Sequence, residues 1–485
     1  MRREDRLRIV RWIGRVLAFV VVGCCAPAWS ATLAPVKAII ACETLSGAVV
    51  MAGGDPARIE TTGVISAGSP TPYCEVKGYV APAVHFELRL PITTWRQRLL
   101  FNGCGGFCGG IRIRVPAAVG CAPVENGEFV QVSSDLGHSA ALSDAVWAAD
   151  NPQGMRDFGS RAVHVVLLAS RAIVERFYGQ APRHSYFSGC SDGGREGMME
   201  AQRYPGDFNG IIAGAPVMNE TANNTIFHAW IVQHLLARDG TPLIPEATLA
   251  TVTREVDKRC GDAAGLIADP GRCRFRPSDI LCHHGAASDC LTLSQARLVE
   301  AVYAGPTAPD GGRLYHGLPF GSEETWNAQA RASREFATSF IRFATGMPSG
   351  KPFDLWEVGY TDADLARFNR LAHEVNATDP DLSAFRRAGG KLILWHGFTD
   401  TGVPPANTTR YVEQVRARLG NLAAFLRLYM LPGVNHCGGG RGADKLDLLS
   451  PMIAWVEDGI APNEIRSWKA APGTIERTVA PYAGP

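Results

Sequence analysis

The chain has 485 residues, 46% hydrophobic and 20% charged, with a formal net charge of +1. This is the make-up of a globular protein, long enough to bury a large core and to carry more than one domain. So even a charge balance gives no electrostatic case for a nucleic acid or an anionic surface as partner.

At the N-terminus, Arg2, Arg3, Arg6, Arg8, Arg11 and Arg15 lead into an apolar run, residues 16–22, too short to span a bilayer. Ala28-Trp29-Ser30 then offers small residues where a signal peptidase cuts. Residues 1–30 therefore read as a signal peptide, cleaved near Ser30–Ala31, and the mature protein is expected to be secreted or periplasmic, with no membrane span. A competing reading takes Val21-Val22-Gly23-Cys24 as a lipobox, which would leave Cys24 lipidated and the protein anchored. Export makes disulfides available. Of the 13 cysteines, Cys24 and Cys25 lie in the signal segment; the other 11 are odd in number, so at least one is free or bonded between chains. No C-x2-C pair is present and Cys104-x3-Cys108 has no matching His pair, so disulfides are preferred to zinc, with Cys42 and Cys74 among the bonded residues.

From residue 31 to about 79 the pattern is mixed, with short β-like pieces. Residues 86–91 alternate as a strand does, and residues 98–101 form a second, buried in type. The latter runs into residues 102–110, so dense in glycine that backbone N–H groups can converge on one point. Residues 129–134 are a further strand, ending at Asp135-Leu136-Gly137-His138; His138 is assigned a structural hydrogen-bonding role. Residues 158–178 read as an amphipathic helix closed by Gly179.

The stretch that organises the rest follows. Residues 184–187 are aromatic and strand-like, Gly189-Cys190-Ser191-Asp192-Gly193 matches the G-x-S-x-G nucleophile elbow, and residues 194–204 are helix-forming. Residues 210–216 make the next buried strand. At residue 217 the alternation of strand and helix stops. Residues 217–385 are helical and loop-rich and read as an inserted lid domain between a first core part, 31–216, and a second, 386–485. Within the lid, bonding neighbours gives Cys260 with Cys273 and Cys282 with Cys290, the simplest of three connectivities. Trp326 and Trp356 are assigned to packing rather than to the pocket. The alternating pattern returns with a core strand at 389–397, Asp400 in the loop behind it, a helix at 407–419, and a last core strand at 425–430 that leads to His436.

Ser191, Asp400 and His436 each stand just past the C-terminal end of a predicted core strand, in the chain order of the α/β-hydrolase fold. In a parallel sheet those ends share one edge. The roles expected are nucleophile for Ser191, general base and acid for His436, and orienter of the imidazole for Asp400. The N–H groups of Asp192 and of Gly105 are the expected oxyanion donors. Cys190 precedes the serine and Cys437 follows the histidine, so a bond between them would staple the two loops and close a loop of about 250 residues.

With these residues in view, the chain resembles the tannase/feruloyl esterase family, which includes type-B feruloyl esterases and the bacterial mono(2-hydroxyethyl) terephthalate hydrolase. The resemblance rests on Cys190-Ser191, Asp400 and His436-Cys437, supported by residues 185–189, 204–210, 395–397 and 455–459. It implies an α/β-hydrolase core with a large lid, the Cys190–Cys437 disulfide, and cleavage of small aromatic, often phenolic, carboxylic esters. Two departures stand out. Family lids carry calcium on an Asp-rich loop, whereas residues 260–270 keep only Asp262 and Asp269, so calcium is expected to be lost or weak and no other cofactor is implied. Ala480 stands where a C-terminal disulfide is expected, which leaves the tail without that tie. Two other functions share the residues: a non-catalytic envelope binding protein, against which the intact triad speaks, and an acyltransferase that excludes water.

Overall fold

A computed structural model describes residues 33–283, 289–347, 353–469 and 475–484. The signal-peptide and lipobox readings fall outside the described residues. Ten strands form one sheet. Its first part is an antiparallel meander: β1 (Val49–Ala52), β2 (Asp55–Ile65), β3 (Tyr73–Val80) and β4 (Val84–Pro91). Its second part is parallel: β5 (Arg98–Asn102), β6 (Phe129–Ser134), β7 (His184–Cys190), β8 (Gly210–Gly214), β9 (Lys391–Gly397) and β10 (Leu426–Leu431), in the order β6-β5-β7-β8-β9-β10. β4 joins the two parts, pairing antiparallel with β6. The meander is more regular than the short pieces expected between residues 31 and 79. Polar residues at Glu60, Thr61 and Thr62, with a register shift between Ile59 and Thr61, blur the period of two that marks a strand.

In the parallel part, successive side chains fall to opposite faces of the sheet. Leu99, Phe101, Phe187, Ile211 and Leu394 join one hydrophobic cluster; Leu100, Tyr186, Ile212, Ile393 and Trp395 join the other. With both faces covered, every residue of β5 and β8 is buried, as a parallel sheet requires. Helices α1 (Ala162–Tyr178) and α2 (Asp192–Arg203) supply the first cluster. α1 ends at Gly179 with φ 76°, a left-handed cap that suits glycine. α2 begins at Asp192 instead of residue 194, because the chain enters the helix directly from the serine.

The segment read as a lid contains helices α3 (His228–Leu235), α4 (Glu246–Cys260), α5 (Leu293–Ala304) and α6 (Trp326–Ser339). They share a third hydrophobic cluster of their own, drawn from residues 222–368. Trp326 is fully buried in it and donates its indole N–H to Ser322 at 2.9 Å, while the Arg238 and Arg334 guanidinium groups lie 5.6 and 5.5 Å from the Trp356 ring centre. After β9 come α7 (Pro405–Leu419) and α8 (Leu449–Glu457), the latter in the second sheet-face cluster. A small sheet of β11 (Lys445–Leu446), β12 (Ile465–Lys469) and β13 (Ile475–Val479) closes the chain. The tail near Ala480 is tied without a disulfide: β13 pairs with β12, Arg477 meets Asp262 at 2.8 Å, and Tyr482 N–H donates to Leu428 at 2.7 Å.

Among the described residues, five disulfides join Cys42–Cys74, Cys104–Cys108, Cys190–Cys437, Cys260–Cys273 and Cys282–Cys290. Cys121 is a buried free thiol beside Ser450.

Candidate active site

Ser191 sits between the end of β7 and the start of α2 with φ 66° and ψ −121°, a conformation that L-residues rarely adopt. Its N–H is held by Gly214 O at 2.9 Å. The flanking glycines are required by space. A Cβ on Gly189 would lie 2.4 Å from Gly193 O, and one on Gly193 would lie 2.6 Å from Cys104 O. Close packing of strand, helix and glycine-rich loop thus forces the small-Ser-small pattern and lifts the hydroxyl into the open.

The parallel sheet brings three distant residues to one edge. His436 Nε2 is 2.8 Å from Ser191 Oγ, and its Nδ1 is 2.7 Å from Asp400 Oδ2. Asp400 is completely buried, yet both carboxylate oxygens are satisfied. Oδ1 accepts from Gly402 N–H at 2.8 Å and Val403 N–H at 2.9 Å; Oδ2 accepts from His436 and, at 3.0 Å, from His396 Nε2. His396 Nδ1 in turn faces Thr408 Oγ1 at 2.9 Å. Burial by itself would raise the Asp400 pKa, but the His436 ring and the hydrogen bonds from His396 and His436 outweigh it and hold the carboxyl well below its ordinary range. For His436, burial opposes the charged ring, and the Asp400 carboxylate overcomes it, so the pKa is raised.

His396 was not among the expected site residues. The available signal was a histidine inside a buried strand, four residues ahead of the aspartate. His138, by contrast, lies where a structural residue should: its Nε2 bonds Phe107 O at 2.8 Å and its ring stacks on Trp147.

The loop of residues 103–110 lies against the elbow. The Cys104–Cys108 disulfide closes it, Gly103 N–H donates to Ser188 O at 3.0 Å, and Phe107 N–H donates to Leu142 O at 2.7 Å. Asp192 N–H and Gly105 N–H have no acceptor among the described residues. The Asp192 side chain points inward to Arg195, whose Nε donates to it at 2.5 Å. Arg195 is wholly buried and also donates to the carbonyls of Phe158, Gly159 and Val375. Glu196 and Glu220 complete this buried cluster. Burial and the nearby Asp192 push both carboxyls well above their ordinary range. Cys104, Cys108, Asp192 and Glu196 are close enough to share an ion, but both sulfurs are spent in the disulfide.

Above Ser191 lies a cavity of about 370 Å³. Leu142, Val217 and Phe336 give it apolar walls; Asn223, Asn224, His228 and Gln329 give it neutral polar ones. None of its lining residues is Lys or Arg. Burial, and then the neighbouring His436 ring, push the His228 pKa down to about 3, so the side chain is neutral there. It faces Ser333 Oγ at 2.8 Å.

The loop at 260–270 turns its two carboxylates to other partners. Asp262 accepts from the N–H groups of Ala264 and Leu266 and pairs with Arg477; Asp269 accepts from Gly271 N–H and pairs with Arg272 at 3.3 Å. Both carboxylates are thus engaged within the protein.

Residues 66–481 match the model of the family described as Tannase and feruloyl esterase. An uncharacterized esterase of Xanthomonas campestris pv. campestris is 34% identical, over 82% of this chain and 78% of its own. The mono(2-hydroxyethyl) terephthalate hydrolase of Piscinibacter sakaiensis is 30% identical, over 86% and 82%. Among solved structures, feruloyl esterase B from Aspergillus oryzae superposes with a TM-score of 0.79 at 24% identity, covering 88% of this chain and 93% of that one.

Proposed function

The chain belongs to the tannase and feruloyl esterase family and is a carboxylic ester hydrolase, and we propose that it cleaves esters of aromatic acids through an acyl-enzyme on Ser191. One observation carries the reading: the unbroken chain from Ser191 Oγ through His436 to Asp400, at 2.8 and 2.7 Å. His436 takes the hydroxyl proton as Ser191 attacks the ester carbonyl. The oxyanion accepts hydrogen bonds from Asp192 N–H, at the positive end of α2, and from Gly105 N–H. His436 then protonates the departing alcohol, and water repeats the sequence on the acyl-enzyme. Asp400, fixed by four donors, keeps the ring oriented and stabilises it when charged. The cavity suits an aromatic ring, with Leu142, Val217 and Phe336 as apolar lining and Asn224 and Gln329 among its polar lining.

The working compartment is proposed to be outside the cytoplasm. Five disulfides accord with that, and no helix among the described residues is long and apolar enough to cross a membrane. No cofactor enters the scheme. Dialysis of the purified protein against a chelator is expected to leave activity and Tm unchanged, and a fall in either would restore calcium to the lid.

The deciding experiment compares wild type with Ser191→Ala on methyl gallate, methyl ferulate, mono(2-hydroxyethyl) terephthalate and a short-chain nitrophenyl ester. Turnover of an aromatic ester that disappears in the variant is expected. Turnover that survives in the variant would remove Ser191 as nucleophile.

A further inference from the structure

Resting on that reading, we propose that a second cleft receives the alcohol half of the ester and favours alcohols that carry a carboxylate. This cleft, of about 450 Å³, shares Gly105, Leu142, Cys190 and Cys437 with the cavity above Ser191, so the two adjoin along these residues. Their chemistry is opposite. The cavity above Ser191 has no cation in its lining, whereas the second cleft is lined by Arg112, Arg114 and Lys445. Its one acidic lining residue, Asp444, is already engaged: it accepts Gly439 N–H at 2.8 Å and meets Lys445 at 3.5 Å. The guanidinium groups of Arg112 and Arg114 have no ion pair or side-chain hydrogen bond among the described residues. They stand exposed at alternate positions of one loop. A guanidinium fork matches a carboxylate in geometry, and a cleft lined mainly by one sign of charge concentrates ligands of the other.

In this arrangement the ester crosses the shared boundary of the two cavities. With its carbonyl at Ser191 and its aromatic acid against Leu142, Phe336 and Asn224, the alcohol oxygen leaves across Gly105 and the Cys190–Cys437 bond, towards the arginines. A carboxylate on the alcohol then meets Arg112 and Arg114. Two kinds of alcohol share this chemistry, a small hydroxy acid such as quinate and an acidic sugar such as galacturonate.

The test measures kcat/KM of wild type and of Arg112→Gln/Arg114→Gln on methyl caffeate, caffeoyl quinate and a feruloylated galacturonate. Both substitutions are of exposed side chains, and near-UV circular dichroism checks the fold. The double variant is expected to lose about tenfold on a charged-alcohol ester, mostly in KM, and to stay within about twofold on methyl caffeate. The wild-type preference should shrink as ionic strength rises. A loss confined to caffeoyl quinate assigns the cleft to small hydroxy acids, and one confined to the galacturonate assigns it to acidic sugars. An equal loss on methyl caffeate, or no loss on either charged ester, overturns the proposal. Methyl caffeate turnover and its abolition by Ser191→Ala test the underlying reading separately. Should no ester be cleaved, saturation-transfer NMR with free quinate and free galacturonate decides instead: a transfer signal that the double variant abolishes supports the cleft, and an equal signal, or none, in both proteins overturns it.

Discussion

The serine and the histidine of the triad are held in place by different means. Ser191 stands between a strand buried along most of its length and a helix whose first ten residues are buried, pinned by glycine contacts with no room for a methyl group. His436 stands on a loop near the surface, residues 432–442, where Gly433, Cys437, Gly438, Gly439 and Gly440 all have positive φ. Val434 anchors the base of this loop in the core, and the turn beyond it, with Cys437 and Gly439 exposed, is more open. It is fixed by ties: the Cys190–Cys437 bond, Asp444 to Gly439 N–H, Thr399 to Asn435 at 2.8 Å, and Lys469 to Gly440 O. The proposed nucleophile thus rests on the core and the proposed base more on cross-links, so damage on the serine side should read out as lost folding, and damage on the histidine side should add lost turnover in protein that still folds.

Asp400→Asn should have the largest effect, a fall of about 10⁴ in kcat with the fold retained, because the amide favours the wrong imidazole tautomer. It also bears on pH. His436 must be neutral to take the serine proton, and Asp400 raises its pKa, so wild-type kcat/KM should fall as pH drops through a value above that of free imidazole. In the variant that limb should move to lower pH. His228, already neutral, should add no limb of its own near neutral pH. A wild-type limb below that of free imidazole would contradict the Asp400–His436 coupling.

On the serine side, Arg195→Met should cost about 3–5 kcal/mol of stability in denaturant titration, since it leaves Asp192 buried without its partner. Normal stability in that variant would break the claim that the elbow depends on the core. On the histidine side, Cys190→Ala/Cys437→Ala should lower stability by about 2–5 kcal/mol. At temperatures where this variant is still folded, kcat should fall by about tenfold or more, since a displacement of about 1 Å is enough for a hundredfold loss. Wild-type kcat in the folded double variant would show that the weaker ties suffice. Asp444→Ala, which removes one such tie, should lower kcat a few-fold and leave stability within about 0.5 kcal/mol.

These contrasts also explain what could be read from the sequence. The candidate triad was legible because each member follows a run of buried strand residues, such as residues 391–397 before Asp400, and local pattern carries that information. The elbow glycines were legible for the same reason. The Cys104–Cys108 bond and the free Cys121 were not, because spacing alone does not separate three cysteines whose pairing is set by tertiary contacts. His396 was visible only as a buried strand residue, and its bond to Asp400 depends on how the next loop folds back. The walls of the substrate cavity were the least accessible. Asn223, Asn224, His228 and Gln329 lie on helical segments whose faces are chosen by packing within the hydrophobic cluster of residues 222–368, and their polarity reads equally well as ordinary solvent exposure.

The cavity above Ser191 draws Val217, Glu220, Asn223, Asn224, His228, Gln329, Ala332 and Phe336 from residues 217–385, while all three triad residues lie outside that stretch. The proposed catalytic residues and this part of the cavity wall are therefore written in separate blocks of the gene, while Leu142 and residues 105–107, which also line the cavity, stay with the former. A recombination or drift confined to the middle block would reshape that part of the wall and leave the proposed cleavage residues unchanged, which gives both natural lineages and directed-evolution libraries a route to new esters.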